Sequence, residues 1–258
     1  MTPERAALFL DSTIQIERVV GSRARQAELH HQLAGFKLIT STYVLGEYLR
    51  TLARDVTLLH TLTLEHEHLD DVMTAIARQH SQRVSKRALL LWANVYREGR
   101  FSRQDILEKL DDYITFQLVS RFMNSIDELL DTTACGLARE RPQQLGELHY
   151  LRSQCTRRVE ECDLSERLRS WRPELRLVAD GLYEHSDRAL ARMGDLAAQL
   201  VDAPDLARGR NCTWYLGDLI IALEIPSDAA LYTTNRRHFG PLCTLLGKHL
   251  HQPVIRSQ

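Results

Sequence analysis

Three acidic side chains stand in apolar surroundings that a carboxylate enters only at a cost. Asp11 ends the run Ala7-Leu8-Phe9-Leu10 and is followed by Ser12 and Thr13. Glu47 lies within Tyr43-Val44-Leu45-Gly46-Glu47-Tyr48-Leu49. Asp218 lies within Leu216-Gly217-Asp218-Leu219-Ile220-Ile221-Ala222-Leu223, the most apolar helical stretch of the chain. A carboxylate so placed needs a paired charge or a cation. Together the three would make an oxygen-rich site suited to Mg²⁺ or Mn²⁺. Each has an ordinary alternative: Asp11 as a helix cap, Glu47 paired with Arg50, Asp218 as an N-cap. The joint pattern, not any one residue, points to chemistry.

These residues need elements to position them. Ala7 to Leu10 reads as a short buried strand ending at Asp11, and a helix follows to about His31. Gly35 marks a turn into a second strand, Phe36 to Thr40. Ser41-Thr42 is an N-cap for a helix through about Arg54. Near the other end, a helix over Trp214 to Glu224 precedes a strand from Ala229 to Thr233, and Pro253-Val254-Ile255 reads as a final strand. Strand–helix alternation at both ends predicts an α/β fold, and ligands of such sheets bind at the carboxyl ends of strands.

The middle reads as helical throughout. Ser102-Arg103-Gln104-Asp105 is a capping box, followed by Ile106, Leu110, Ile114 and Leu118 at helical spacing. Four to six amphipathic, antiparallel helices are expected. The chain thus divides into an α/β domain in two halves, residues 1–58 and 206–258, interrupted by an all-helical insertion over 59–205.

With 33 Lys plus Arg against 34 Asp plus Glu, the net charge of -1 excludes a protein that coats nucleic acid by bulk charge. Affinity for a phosphodiester would need a local patch. After Asp228 the chain has no acid, and Arg236, Arg237 and His238 fall beside the proposed site as candidate phosphate contacts. No apolar run approaches the roughly 20 residues of a membrane span. The apolar run at the N-terminus is too short for a signal peptide, so a cytoplasmic protein is expected. Five cysteines without a CxxC pair read as reduced thiols. His66 and His68, with Asp70 and Asp71, could suggest a second metal site. Two-residue spacing on a helix points the imidazoles apart, which favours a solvated face. Arg157, Arg158, Arg167, Arg169 and Arg172 are balanced by nearby acids and read as salt-laced helix faces.

One ordered set of motifs resembles a known family. It comprises Leu10-Asp11-Ser12-Thr13, then Ser41-Thr42 with Glu47 on the helix behind. Gly217-Asp218-Leu219-Ile220-Ile221-Ala222 comes next, and Leu231-Tyr232-Thr233-Thr234-Asn235-Arg236-Arg237-His238-Phe239 closes the set. This looks like the PIN domain, as in the VapC-type toxin ribonucleases. The resemblance covers about residues 5–57 and 207–256.

It implies a PIN-like parallel sheet with flanking helices and a Mg²⁺- or Mn²⁺-dependent endoribonuclease. Asp11, Glu47 and Asp218 would be the metal-holding catalytic acids, Ser12, Thr13 and Thr233 their support, and Asn235 a fourth catalytic position offering an oxygen to the metal or a donor to phosphate. Many members carry an acid at one of the positions held here by Asn235 and His238. This chain has neither. The partners implied are an RNA substrate and an antitoxin or other protein docking on the insertion, with a homodimer as a further expectation. The alternative expectation is a catalytically weakened module that binds RNA or protein.

Overall fold

Leu8, Phe9 and Leu10 are all fully buried, which makes Ala7–Leu10 (β1) apolar towards both faces. Such a strand belongs inside a parallel sheet covered by helices, and β1 takes that place. The computed structural model describes residues 5–79, 82–96, 102–140, 142–150, 162–209 and 211–252. After β1 come α1 (Ser12–Val20), α2 (Arg23–Leu33), β2 (Lys37–Ser41) and α3 (Thr42–Glu65). The middle holds α4 (Leu69–Gln79), α5 (Gln82–Val95), α6 (Arg103–Asp112), α7 (Leu118–Met123) and β3 (Glu128–Leu130). It continues with β4 (Gln143–Leu145), β5 (Leu148–Tyr150), α8 (Leu164–Ser170), α9 (Arg172–Leu182) and α10 (Arg188–Asp202). The chain ends through α11 (Gly217–Glu224), β6 (Ala229–Tyr232), α12 (Arg236–Leu245) and β7 (His249–Leu250).

Five strands form one sheet in the order β3-β2-β1-β6-β7, and every pairing is parallel. The chain moves to one side of β1 for β2 and β3, and to the other for β6 and β7. Strand order therefore reverses between β1 and β6. Connections leaving their carboxyl ends diverge, and the crevice between them is where open α/β sheets take ligands. Asp11 follows β1 and Thr233 follows β6, so both stand at that crevice.

The helix expected up to His31 is two helices, broken at Gly21-Ser22, where the Ser22 hydroxyl caps α2 through the Arg25 amide at 3.2 Å. The next helix, α3, runs past Arg54 and through residue 58 without a break. It packs closely on the single turn Gly136–Arg139. A Cβ at Gly46 would come within 3.0 Å of the Leu137 Cβ and 3.2 Å of the Ala138 nitrogen.

The middle is not all-helical. β3 joins the central sheet beside β2, and β4 and β5 pair as an antiparallel hairpin. Glu128-Leu129-Leu130 is too short to show an alternating pattern, and its strand state depends on β2 lying alongside. Among the described residues the middle holds seven α-helices, α4 to α10, against four to six expected. The capping box at Ser102 is present, with Asp105 bonding back to the Ser102 amide. Arg169 and Arg172 pair with Asp205 and Asp202, and Arg167 donates to the Thr132 carbonyl. The strand expected at 253–255 lies outside the described residues, as do Cys155, Arg157 and Arg158. Among the described residues no helix is long and apolar enough to cross a membrane.

Candidate active site

Asp11 caps α1 and faces the crevice at once. Its Oδ1 accepts the Thr13 amide at 2.6 Å, and its Oδ2 accepts the Thr13 hydroxyl at 3.0 Å and the Thr233 hydroxyl. The Thr234 amide donates to the Thr13 hydroxyl at 3.2 Å, so the ends of β1 and β6 are laced together around this carboxylate. Burial raises the Asp11 pKa above its ordinary value. The hydroxyl of Thr233 and the amide of Thr13 oppose that rise, while the charge of Asp218 adds to it.

Glu47 sits on the second turn of α3. Burial pushes its pKa up to about 7, helped by the charges of Asp11 and Asp218 and opposed by Arg50 and a hydrogen bond from Ser12. The opening of α11 lies against it, for a Cβ at Gly217 would stand 3.8 Å from Glu47 Oε1. Tyr43, four residues earlier, donates its hydroxyl to the Cys212 carbonyl at 2.5 Å and ties α3 to the segment before α11.

Asp218 is inside the first turn of α11, where the helix dipole favours a carboxylate. The residue at the N-cap is Leu216. Asp218 Oδ2 accepts from His238 Nδ1 at 2.6 Å and from Asn235 Nδ2 at 3.0 Å. That hydrogen bond is the main reason the His238 pKa is raised. With the proton on Nδ1, the 3.4 Å approach of Asn235 Nδ2 to the same nitrogen is donor against donor. Asn235 thus turns its amide nitrogen, not its oxygen, towards Asp218. Its backbone amide donates to the Thr233 hydroxyl at 2.9 Å.

Asp11, Ser12, Thr13, Glu47, Asp218, Asn235 and His238 line one cleft of about 640 Å³. No protein-family model, curated protein or solved structure matches the chain.

Arg236 and Arg237 are not among the lining residues. Arg237 Nε pairs with Asp187 at 2.5 Å, and Arg236 points to the His251 carbonyl at 3.4 Å. The cationic wall comes from elsewhere: Arg50 and Arg54 of α3, Arg87 of α5, and Arg188 and Arg192 of α10. Arg87 grips the buried Asp55 with two bonds of 2.6 and 3.2 Å. Arg192 lies over the Tyr215 ring at 3.6 Å, and Arg50 over the Trp214 ring at 5.6 Å. Trp214 is half exposed and belongs to a π-helical turn, Asn211–Tyr215, closed by the Leu216 amide on the Asn211 carbonyl at 3.0 Å. Such turns recur at functional sites.

The sequence held a signal for two of these residues. Arg50 and Arg54 follow Glu47 by three and seven positions, one face of one helix. Arg87, Arg188 and Arg192 carried none, because only tertiary packing brings α5 and α10 to the crevice.

Proposed function

We propose that the chain is a PIN-like, Mg²⁺- or Mn²⁺-dependent ribonuclease whose reaction takes place in this cleft. The observation that carries the reading is mutual repulsion. Asp11, Glu47 and Asp218, from three separate elements, share one crevice, and burial together with the charges of Asp11 and Asp218 raises the Glu47 pKa to about 7. Clustered carboxylates with oxygen-only donor atoms suit a hard divalent cation, and such a cation would relieve the repulsion. Asp11, Glu47 and Asp218 would hold it, and when bound it supplies positive charge for the phosphoryl oxygens and acidifies a nearby water.

The chain's own groups have distinct tasks. Thr13 and Thr233 hold Asp11 in one orientation. His238 and Asn235 do the same for Asp218. Glu47, on the second turn of α3 and lining the cleft, would orient the attacking water and accept its proton. The water oxygen then bonds to phosphorus while the leaving P–O bond breaks. Arg50, Arg54, Arg188 and Arg192 offer binding to phosphates, and Trp214 offers a face for a base to stack on.

The test is cleavage of a structured RNA with Mn²⁺, wild type against Asp11→Asn. The variant should lose about 10²–10³-fold in rate, the scale of removing one group that stabilises developing charge. RNA binding without cleavage by the wild type would reject the reading in favour of a binding module.

A further inference from the structure

A second cluster of metal-ligating side chains lies outside the cleft. His60 of α3, Asp111 of α6 and His149 of β5 come together from elements far apart in the sequence. His149 Nε2 stands 2.5 Å from Asp111 Oδ1, and His60 Nε2 stands 3.2 Å from the same oxygen. The two rings meet edge to face with centroids 4.9 Å apart. One ligand atom from each residue lies within 4.8 Å of the others. The imidazoles are nearly sealed, with side chains 5% and 4% exposed, while Asp111 is 41% exposed and opens the group to solvent.

We propose that His60, Asp111 and His149 bind a transition-metal ion of the zinc class, which pins the β4–β5 hairpin to α3 and α6. Two imidazoles and one carboxylate are a donor set for Zn²⁺ rather than for Mg²⁺ or Ca²⁺. Ligand atoms about 2.0–2.2 Å from a tetrahedral ion stand roughly 3.3–3.6 Å apart. The His60 and Asp111 atoms are already near that spacing, and His149 needs to withdraw by about 1 Å. The exposed side of Asp111 gives a path for entry and leaves a fourth position to water.

The hairpin explains why an ion is needed there. Of its six strand residues only His149 is buried, while Leu145, Leu148 and Tyr150 all face solvent. A two-stranded hairpin is marginal by itself. Here its one inward anchor is an imidazole, not an apolar side chain. Both Nδ1 atoms are buried with no hydrogen-bond partner among the described residues. The burial of two rings is therefore not offset by protein hydrogen bonds alone. A cation held by the two Nε2 atoms would strengthen this single attachment of the hairpin.

The experiment uses the full chain, stripped with a chelator and then titrated with Zn²⁺ or Co²⁺. The wild type should bind one Zn²⁺ that the Asp11→Asn variant also binds, so that this site and the cleft stand or fall separately. His149→Gln and His60→Gln should each lose that ion by at least about 10-fold in affinity, together with the rise in melting temperature it causes. Co²⁺ in the wild type should give the visible bands of a tetrahedral site with imidazole ligands, a readout that needs no variant to fold. Equal Zn²⁺ binding by wild type and both histidine variants would overturn the proposal. So would a Co²⁺ spectrum of octahedral type, or loss of the ion in Asp11→Asn alone.

Discussion

His238 Nδ1 stands 2.6 Å from Asp218 Oδ2, so the histidine serves as a cationic partner to an acid of the same cleft. The pair raises the His238 pKa above its ordinary value near 6.5. A raised histidine pKa means that the stability it confers is complete below about pH 6.5 and fades as pH climbs through the higher value. His238→Ala should therefore lower the melting temperature by about 1–3 °C at pH 6 and by almost nothing at pH 9. Equal losses at the two pH values would mean that packing, not charge, is what His238 contributes.

Glu47 should carry a stability cost that a cation removes. Its folded-state pKa of about 7 lies above the ordinary value of 4.5. Ionising it in the folded protein is unfavourable, and the cost grows from about pH 4.5 to about pH 7 and is constant above. In the presence of a chelator at pH 8, Glu47→Gln should melt higher than the wild type, by about 2–4 °C for each kcal/mol recovered. With saturating Mg²⁺ or Mn²⁺ the gain should vanish or reverse. The variant should not cleave RNA.

Glu224 offers the matching control away from any cation. It is 5% exposed, and burial pushes its pKa up to about 8 although Ser41 donates to its Oε2 at 2.5 Å. By the same sign rule its cost accumulates between about pH 4.5 and pH 8. A glutamine keeps an oxygen for Ser41 and removes the charge. Glu224→Gln should melt higher than wild type at pH 9 and no higher at pH 4, with or without divalent ions. A gain that responds to Mg²⁺ would show that Glu224 couples to the cleft.

The arginine wall and the basic segment after Asp228 make opposite predictions for RNA binding. Removing one phosphate contact reduces the salt slope of binding by about 1. Arg50→Ala and Arg54→Ala should each do this in a fluorescence-anisotropy titration of single-stranded RNA against salt. Arg236→Ala and Arg237→Ala should leave the slope unchanged, because Arg237 is held by Asp187 and neither residue lines the cleft.

Much of the crevice was legible along the chain. Asp11 and Glu47 were marked by carboxylates inside apolar runs, and both are carboxylates whose pKa burial raises. β1 and β6 were legible as short apolar runs, and β2 by the Gly35 turn that precedes Leu38-Ile39. β3 was not, since three residues carry no period and only β2 makes them a strand. The basic rim was misplaced for a related reason. Composition counts charges by sequence neighbourhood, whereas α5 and α10 reach the cleft by packing.

Taken alone, the sequence determined the local chemistry: which carboxylates stand among apolar neighbours, which segments alternate between strand and helix, and where helices are capped. These follow from burial cost and backbone propensity, which act over a few residues. The tertiary structure decided which charges meet. Strand order reversing between β1 and β6 set Asp11 beside Thr233, and the path of α6 and the hairpin set Asp111 between His60 and His149. Electrostatic and ligand interactions act through space over a few ångströms. Residues 222 positions apart can share a hydrogen bond that no local pattern announces.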